Sequence, residues 1–171
     1  MDIFLEGIHP ALQEARESAY KPSGLTIENF LIEPESKEYG ACVFEMNNLC
    51  IKFRVAKKTP IKTGQFVTLW KREGVGSILP HDIEDPIDLF VIGVRNSDNF
   101  GQFVFPKTVL SDRGIVSKER RGGKRAMRIY APWDFPVSPQ AKKAQAWQLQ
   151  YFFGIPLDKG VDIGRIRGLF N

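Results

Sequence analysis

Fourteen of the 24 Lys and Arg residues fall in two short spans, and this grouping is the strongest chemical signal in the chain. Lys52 to Arg72 holds seven cations and no Asp or Glu. Arg113 to Arg128 holds seven more against a single acid, Glu119. Ammonium and guanidinium groups at this density suit a polyanion, because they neutralise phosphates and release the counterions around them. The candidate contacts are Lys57, Lys58, Lys62, Lys71 and Arg72 in the first span. In the second they are Arg113, Lys118, Arg120, Arg121, Lys124, Arg125 and Arg128. Two rings stand beside them, Tyr130 after Arg128 and Trp70 before Lys71-Arg72, each with a face that can stack on a base. Trp70 follows Leu69 in a strand pattern and reads more readily as packing.

Other chemistries find few residues to carry them. His9 and His81 are the only histidines. His81 lies with Asp82, Glu84, Asp85 and Asp88 in a run of metal-ligand types, but local acidic loops are usually solvated. No Ser-His-Asp or Cys-His partnership can be placed. Gly122-Gly123 lies in a basic loop and does not close the strand-to-helix turn of a phosphate-binding fingerprint. Cys42 and Cys50 sit in apolar runs and read as free thiols in a reducing compartment. The sequence therefore points to no catalytic residue, no metal and no cofactor.

The elements that must position the cations follow from periodicity and breakers. A helix is expected over Phe4 to Tyr20, regular only from about His9, because Pro10 is tolerated only near a helix start. Strands are expected at Leu25–Glu33, Ala41–Met46, Leu49–Val55, Gln65–Arg72, Ile87–Val94, Gln102–Phe105 and Ala126–Tyr130. Asn47-Asn48 joins the second and third as a hairpin. Helices are expected at Pro106–Asp112 and, capped by Ser138, from Pro139 to about Phe153. The tail after Gly154 reads as irregular. Strand alternation puts Lys52, Arg54 and Ala56 on one face and Phe53 and Val55 on the other, giving a cationic sheet face as a platform. Ser117 to Lys124 is cation-rich, with two adjacent glycines. It is expected to be mobile alone and ordered by phosphates.

Composition sets the frame. With 43% apolar and 26% charged residues, the 171-residue chain reads as a single domain, residues 1–171, with a real core. Charge is uneven: residues 1–45 carry a net −6 and residues 46–171 a net +10. No apolar run reaches membrane-spanning length, and no signal segment opens the chain, so a cytoplasmic location without membrane contact is expected.

Several strings then carry a family resemblance. Arg54-Val55-Ala56-Lys57-Lys58-Thr59-Pro60, Gly64 through Arg72, Gly101 through Lys107, Gly123 through Tyr130 with Pro132-Trp133-Asp134, and the helix from Gln140-Ala141 through Gln145, Trp147 and Gln148 together resemble the MepB family. The resemblance covers about Leu25 to Phe153. It implies a bacterial cytoplasmic protein, and one family member stands beside a multidrug efflux pump and its repressor.

The strand and helix order from Gln65 to Phe153 is also similar to the core of restriction-endonuclease-like nucleases. Those enzymes place an acid on one strand and an acid-x-Lys on the next to hold a metal. Asp88 matches the first acid and Lys107 the lysine, but Phe105 occupies the second acid's place. Cys50-Ile51-Lys52, after Glu45, lacks the acid too. Asp88 and Lys107 thus read as remnants of such a site, and no metal-stimulated cleavage is expected. The resulting expectation is an α+β fold with a mixed, largely antiparallel sheet flanked by helices. Its function would be sequence-tolerant binding of DNA or RNA. Two alternatives stand beside it: a divalent-metal-dependent nuclease, and a protein-interaction module in efflux regulation that uses the acidic N-terminal region.

Overall fold

A computed structural model describes residues 3–171. In chain order the strands are β1 (Glu28–Ile32), β2 (Cys42–Met46), β3 (Leu49–Val55), β4 (Lys57–Lys58), β5 (Gln65–Thr68), β6 (Trp70–Arg72), β7 (Ile78–Pro80), β8 (Leu89–Asn96), β9 (Asn99–Pro106), β10 (Ala126–Ile129) and β11 (Phe152–Gly154). The α-helices are α1 (Pro10–Ala15), α2 (Lys107–Asp112), α3 (Pro139–Gln148) and α4 (Ile163–Leu169). The fold is α+β. A six-stranded sheet has the order β1-β2-β3-β8-β9-β11, a three-stranded sheet the order β10-β5-β4, and β6 and β7 pair as a ribbon. Among these strands of the described residues, only β3 and β8 run parallel; every other neighbouring pair is antiparallel.

The period of two in β8 and β9 explains the layering. Leu89, Val91 and Val104 face one core. It is closed by Leu12 and Tyr20 from the N-terminal helical segment and by Ile166 and Phe170 from the C-terminal one. Phe90, Ile92, Phe103 and Phe105 face the other core. There the inner face of the small sheet meets them with Val67, Met127 and Ile129, joined by Leu110 and the half-buried Trp147. The large sheet is thus covered on both sides, as its nearly continuous apolar central strands require. The Asn47-Asn48 hairpin forms as the sequence indicates, with both residues at positive φ (56° and 62°), as a tight two-residue turn demands.

Four elements differ from the sequence reading. The first helix starts at Pro10, where His9 Nδ1 accepts the Ala11 amide at 3.0 Å, and it finishes as a π-turn through Tyr20. The expected strand Gln65–Arg72 breaks at Leu69. The Leu69 amide donates to the Arg125 carbonyl at 2.9 Å, and the chain then leaves the small sheet to pair with β7. The nuclease-like order therefore does not place this segment beside β8; β3 takes that position. Helix α3 stops at Gln148, and Phe152–Gly154 instead extends the edge of the large sheet against β9. The tail is not irregular: Asp162 caps α4, accepting the Arg165 amide at 3.0 Å, and Ile166 anchors it in the core. Among the described residues, no helix is long and apolar enough to cross a membrane.

Candidate functional site

The small sheet turns its inner face to the core and its outer face to solvent. In the β5–β10 register, Met127 opposes Val67 and Arg128 opposes Phe66. Alternation therefore buries the first pair and presents the second outward. Helix α3 lies alongside, and between it and the sheet runs a groove of about 600 Å³. Lys62 enters from the β4–β5 loop, Arg113 from the end of α2, Lys124 from the segment before β10, and Arg128 from β10 itself. Tyr130 and Trp147 supply rings, and Ser138 and Gln140 supply polar groups. Among the described residues, no Asp or Glu lines this space. Among the described residues, none of these four cations has a carboxylate partner. The two basic spans, more than 40 residues apart, thus meet across one groove.

The walls are fixed. Gln148 is buried, its Oε1 accepting the Tyr130 amide at 2.9 Å and its Nε2 donating to the Arg128 carbonyl at 3.1 Å. One side chain thereby takes the place of a strand on the open edge of β10. Gln145 Nε2 donates to the carbonyls of Ala131 and Asp134, both at 2.9 Å. Arg128 is held as well, donating to Thr59 Oγ1 at 2.9 Å and to the Thr63 carbonyl at 3.2 Å. Arg113 lies over the Trp147 ring at 5.0 Å, so the cation rests on a π face. Gln145 and Gln148 stand out in the sequence by their helical spacing. Their partners are backbone groups of β10 and the turn after it, which no pattern of side-chain types marks.

The remaining cations have other fates. Arg54 is buried, bonded to Glu33 and to the Phe53 carbonyl, and Lys52 reaches the same carboxylate at 2.8 Å. Burial alone would raise the Glu33 pKa, but Arg54 and Lys52 outweigh it and hold Glu33 below the ordinary range. The expected cationic platform on β3 is therefore an internal ion cluster. Lys71 pairs with Asp85 at 2.6 Å and Glu73 at 2.9 Å; these bonds outweigh the effect of burial and raise its pKa. Arg72 pairs with Glu35 at 3.1 Å and lies over Trp70 at 5.7 Å. Lys57 lies over the Tyr39 ring at 4.7 Å, and Lys58 bonds to Asn96. Arg125 is exposed, with its carbonyl accepting the Leu69 amide.

The segment from Ser117 to Lys124 has fixed partners, contrary to the mobility its composition suggests. Lys118 and Arg121 exchange backbone hydrogen bonds at 3.1 and 3.0 Å across Glu119 and Arg120, which sit at φ 54° and 63°. Asp82 anchors this tight turn. Its carboxylate accepts from Ser117 Oγ at 2.6 Å, the Arg120 amide at 2.9 Å and the Glu84 amide at 3.0 Å. These bonds, Ser117's foremost, hold the Asp82 carboxyl down to about 2. The tip side chains remain exposed, with Arg120 Nη2 3.9 Å from Glu73.

The acid and lysine of the nuclease-like reading lie close in backbone but are turned to other partners. The Asp88 amide donates to the Cys50 carbonyl, and its carboxylate accepts the Cys50 amide, both at 2.8 Å. The Lys107 amide donates to the Asp88 carbonyl at 3.1 Å, while Lys107 Nζ donates to the Asp85 carbonyl at 3.0 Å. His81 is buried against Phe90, with ring centres 5.2 Å apart. Burial, helped by Lys52 and Arg54, keeps its pKa far below the ordinary value. Among the described residues, no group of three or more His, Cys, Asp or Glu is placed to hold a metal ion.

Comparison with known proteins bears on the whole architecture. A family model described as MepB-like matches residues 33–154. The crystal structure of MepB superposes with a TM-score of 0.72 at 31% identity, over 78% of this chain and 88% of that one. A bacterial homing endonuclease gives a TM-score of 0.41 at 16% identity, over 80% and 88%, a likeness too low to bear weight. Curated protein sequences contain no match.

Proposed function

This chain belongs to the MepB-like family, and from the groove its fold builds we propose that it binds nucleic acid without sequence preference. The observation that carries the reading is the groove's composition: four cations from both basic spans, no acid among the described residues that line it, and walls joined by hydrogen bonds. Phosphate contacts of this kind supply affinity but read no sequence.

The test is a triple change, Lys62, Arg113 and Lys124 to Ala, assayed by fluorescence anisotropy across a salt series. Three lost contacts are expected to reduce the slope of log affinity against log salt by about 2 to 3. The melting temperature should stay near the parent's, because all three side chains are exposed. Parent-like affinity and slope in the triple variant would remove the groove from the footprint.

A further inference from the structure

The rings in the groove go beyond charge. Tyr130 is half-exposed to the groove, its ring pressed against Gly64. A Cβ at Gly64 would fall 2.7 Å from the ring, and Gly64 sits at φ 81°, so glycine is what lets the ring lie against the backbone there. Trp147 stands on the opposite wall beneath Arg113, and Ala141 and Ala144 leave room between the walls.

These features discriminate between forms of nucleic acid. In a duplex the base faces are already stacked on one another, and phosphates, sugars and base edges are what remain for a protein groove. An unpaired strand offers free base faces, and a ring fixed beside a line of cations meets both parts of each nucleotide. The groove also cannot widen for a thicker ligand without breaking the Gln148 and Gln145 bonds that join α3 to β10 and the turn after it. We infer that the groove selects single-stranded nucleic acid, with Tyr130 as the stacking platform and Lys62, Lys124 and Arg128 along the backbone. This inference rests on the nucleic-acid reading above and gives it a substrate class.

The experiment compares fluorescein-labelled single strands of about 12 nucleotides, oligothymidylate and oligouridylate, with a blunt duplex of the same length. The single strands are expected to bind at least about tenfold more tightly than the duplex. Tyr130→Leu should lose about fivefold to tenfold on single strands while leaving duplex binding unchanged, and Tyr130→Phe, which keeps the ring, should bind like the parent. Duplex binding as tight as single-strand binding would overturn the inference and leave the nucleic-acid reading standing. So would a Tyr130→Leu variant that binds single strands like the parent. Absence of binding to every probe would overturn both.

Discussion

Two cation-rich regions of this molecule began with the same chemistry and ended with opposite roles. Around β3 and β6, Lys52, Arg54, Lys71 and Arg72 are each met by Glu33, Glu35, Glu73 or Asp85. Around β5 and β10, Lys62, Arg113, Lys124 and Arg128 line a groove that has no acid among the described residues. The difference lies in what the fold brings alongside. The acidic N-terminal third passes β3 and β6, and the acidic loop before β8 reaches Lys71, but neither contributes to the groove lining. A charge in sequence becomes a binding surface only where its counter-charges are folded elsewhere.

Removing one member of the enclosed cluster should cost most. Arg54→Leu leaves Glu33, which is half-buried, with only Lys52. Stability should fall by about 2 to 3 kcal/mol, seen as a lower urea midpoint, because Glu33 loses one of its two cationic partners and the Phe53 carbonyl loses a buried donor. Nucleic-acid affinity of the folded fraction should not change. If Arg54→Leu weakened binding and spared stability, the two regions would have to exchange roles.

The enclosed region should also set the acid response. His81 is held neutral when folded, but the unfolded chain takes up a proton near pH 6.5. Stability is thus fully present above that pH and declines as pH falls below it, by up to about 1.4 kcal/mol per pH unit from this group. His81→Phe keeps a ring against Phe90 and should flatten that decline in urea titrations at a series of pH values. An unchanged slope would assign the acid response to other groups.

A third change addresses the hairpin between the regions. Asp82→Ala removes the acceptor for three donors, so trypsin should cut within residues 118–125 at least about tenfold faster than in the parent. The anchor itself should persist in mild acid. The depressed Asp82 carboxyl contributes its stability above the ordinary carboxylate range and loses it only as pH falls through about 2. Equal cleavage rates would mean that the turn stands without Asp82. The smallest effect is expected at the tip. Arg120→Ser with Arg121→Ser should change affinity by less than about threefold, since neither lines the groove, while Lys124→Ser alone should do more.

Much of the fold could be read from residue types. The β2–β3 hairpin, the apolar β8, the strand at β10 and the Ser138-capped helix follow from local signals. What escaped is set by distance in the chain. Leu69 reads as mid-strand because its break depends on Arg125, more than 50 residues away. Helix α4 has few apolar positions and becomes evident only where Ile166 and Phe170 meet the core. At the site, the list of cations was legible, but its division was not. Lys62 and Lys71 carry equal charge in one span, and Asp85 and Glu73 separate their fates. The loop from Ser117 to Lys124 looked unconstrained because its anchor, Asp82, lies in an acidic run that reads as solvated.

The parallel pairing of β3 with β8 has a consequence for how the chain reaches this state. The hairpin β8–β9 closes over two residues, but β3 can join β8 only after residues 56–88 have been laid across the sheet. That crossover contains β5, whose Phe66 lines the groove, and Lys62. Closing so long a loop costs entropy before any contact repays it, so the parallel ladder belongs late in folding. The groove is therefore completed in the same late step as the centre of the large sheet. A nascent chain would not display it before about residue 148, when β10 has emerged to pair with β5 and α3 to form the other wall. Until then its cations would be spread along a flexible chain, and ligand capture would begin only when assembly is nearly complete.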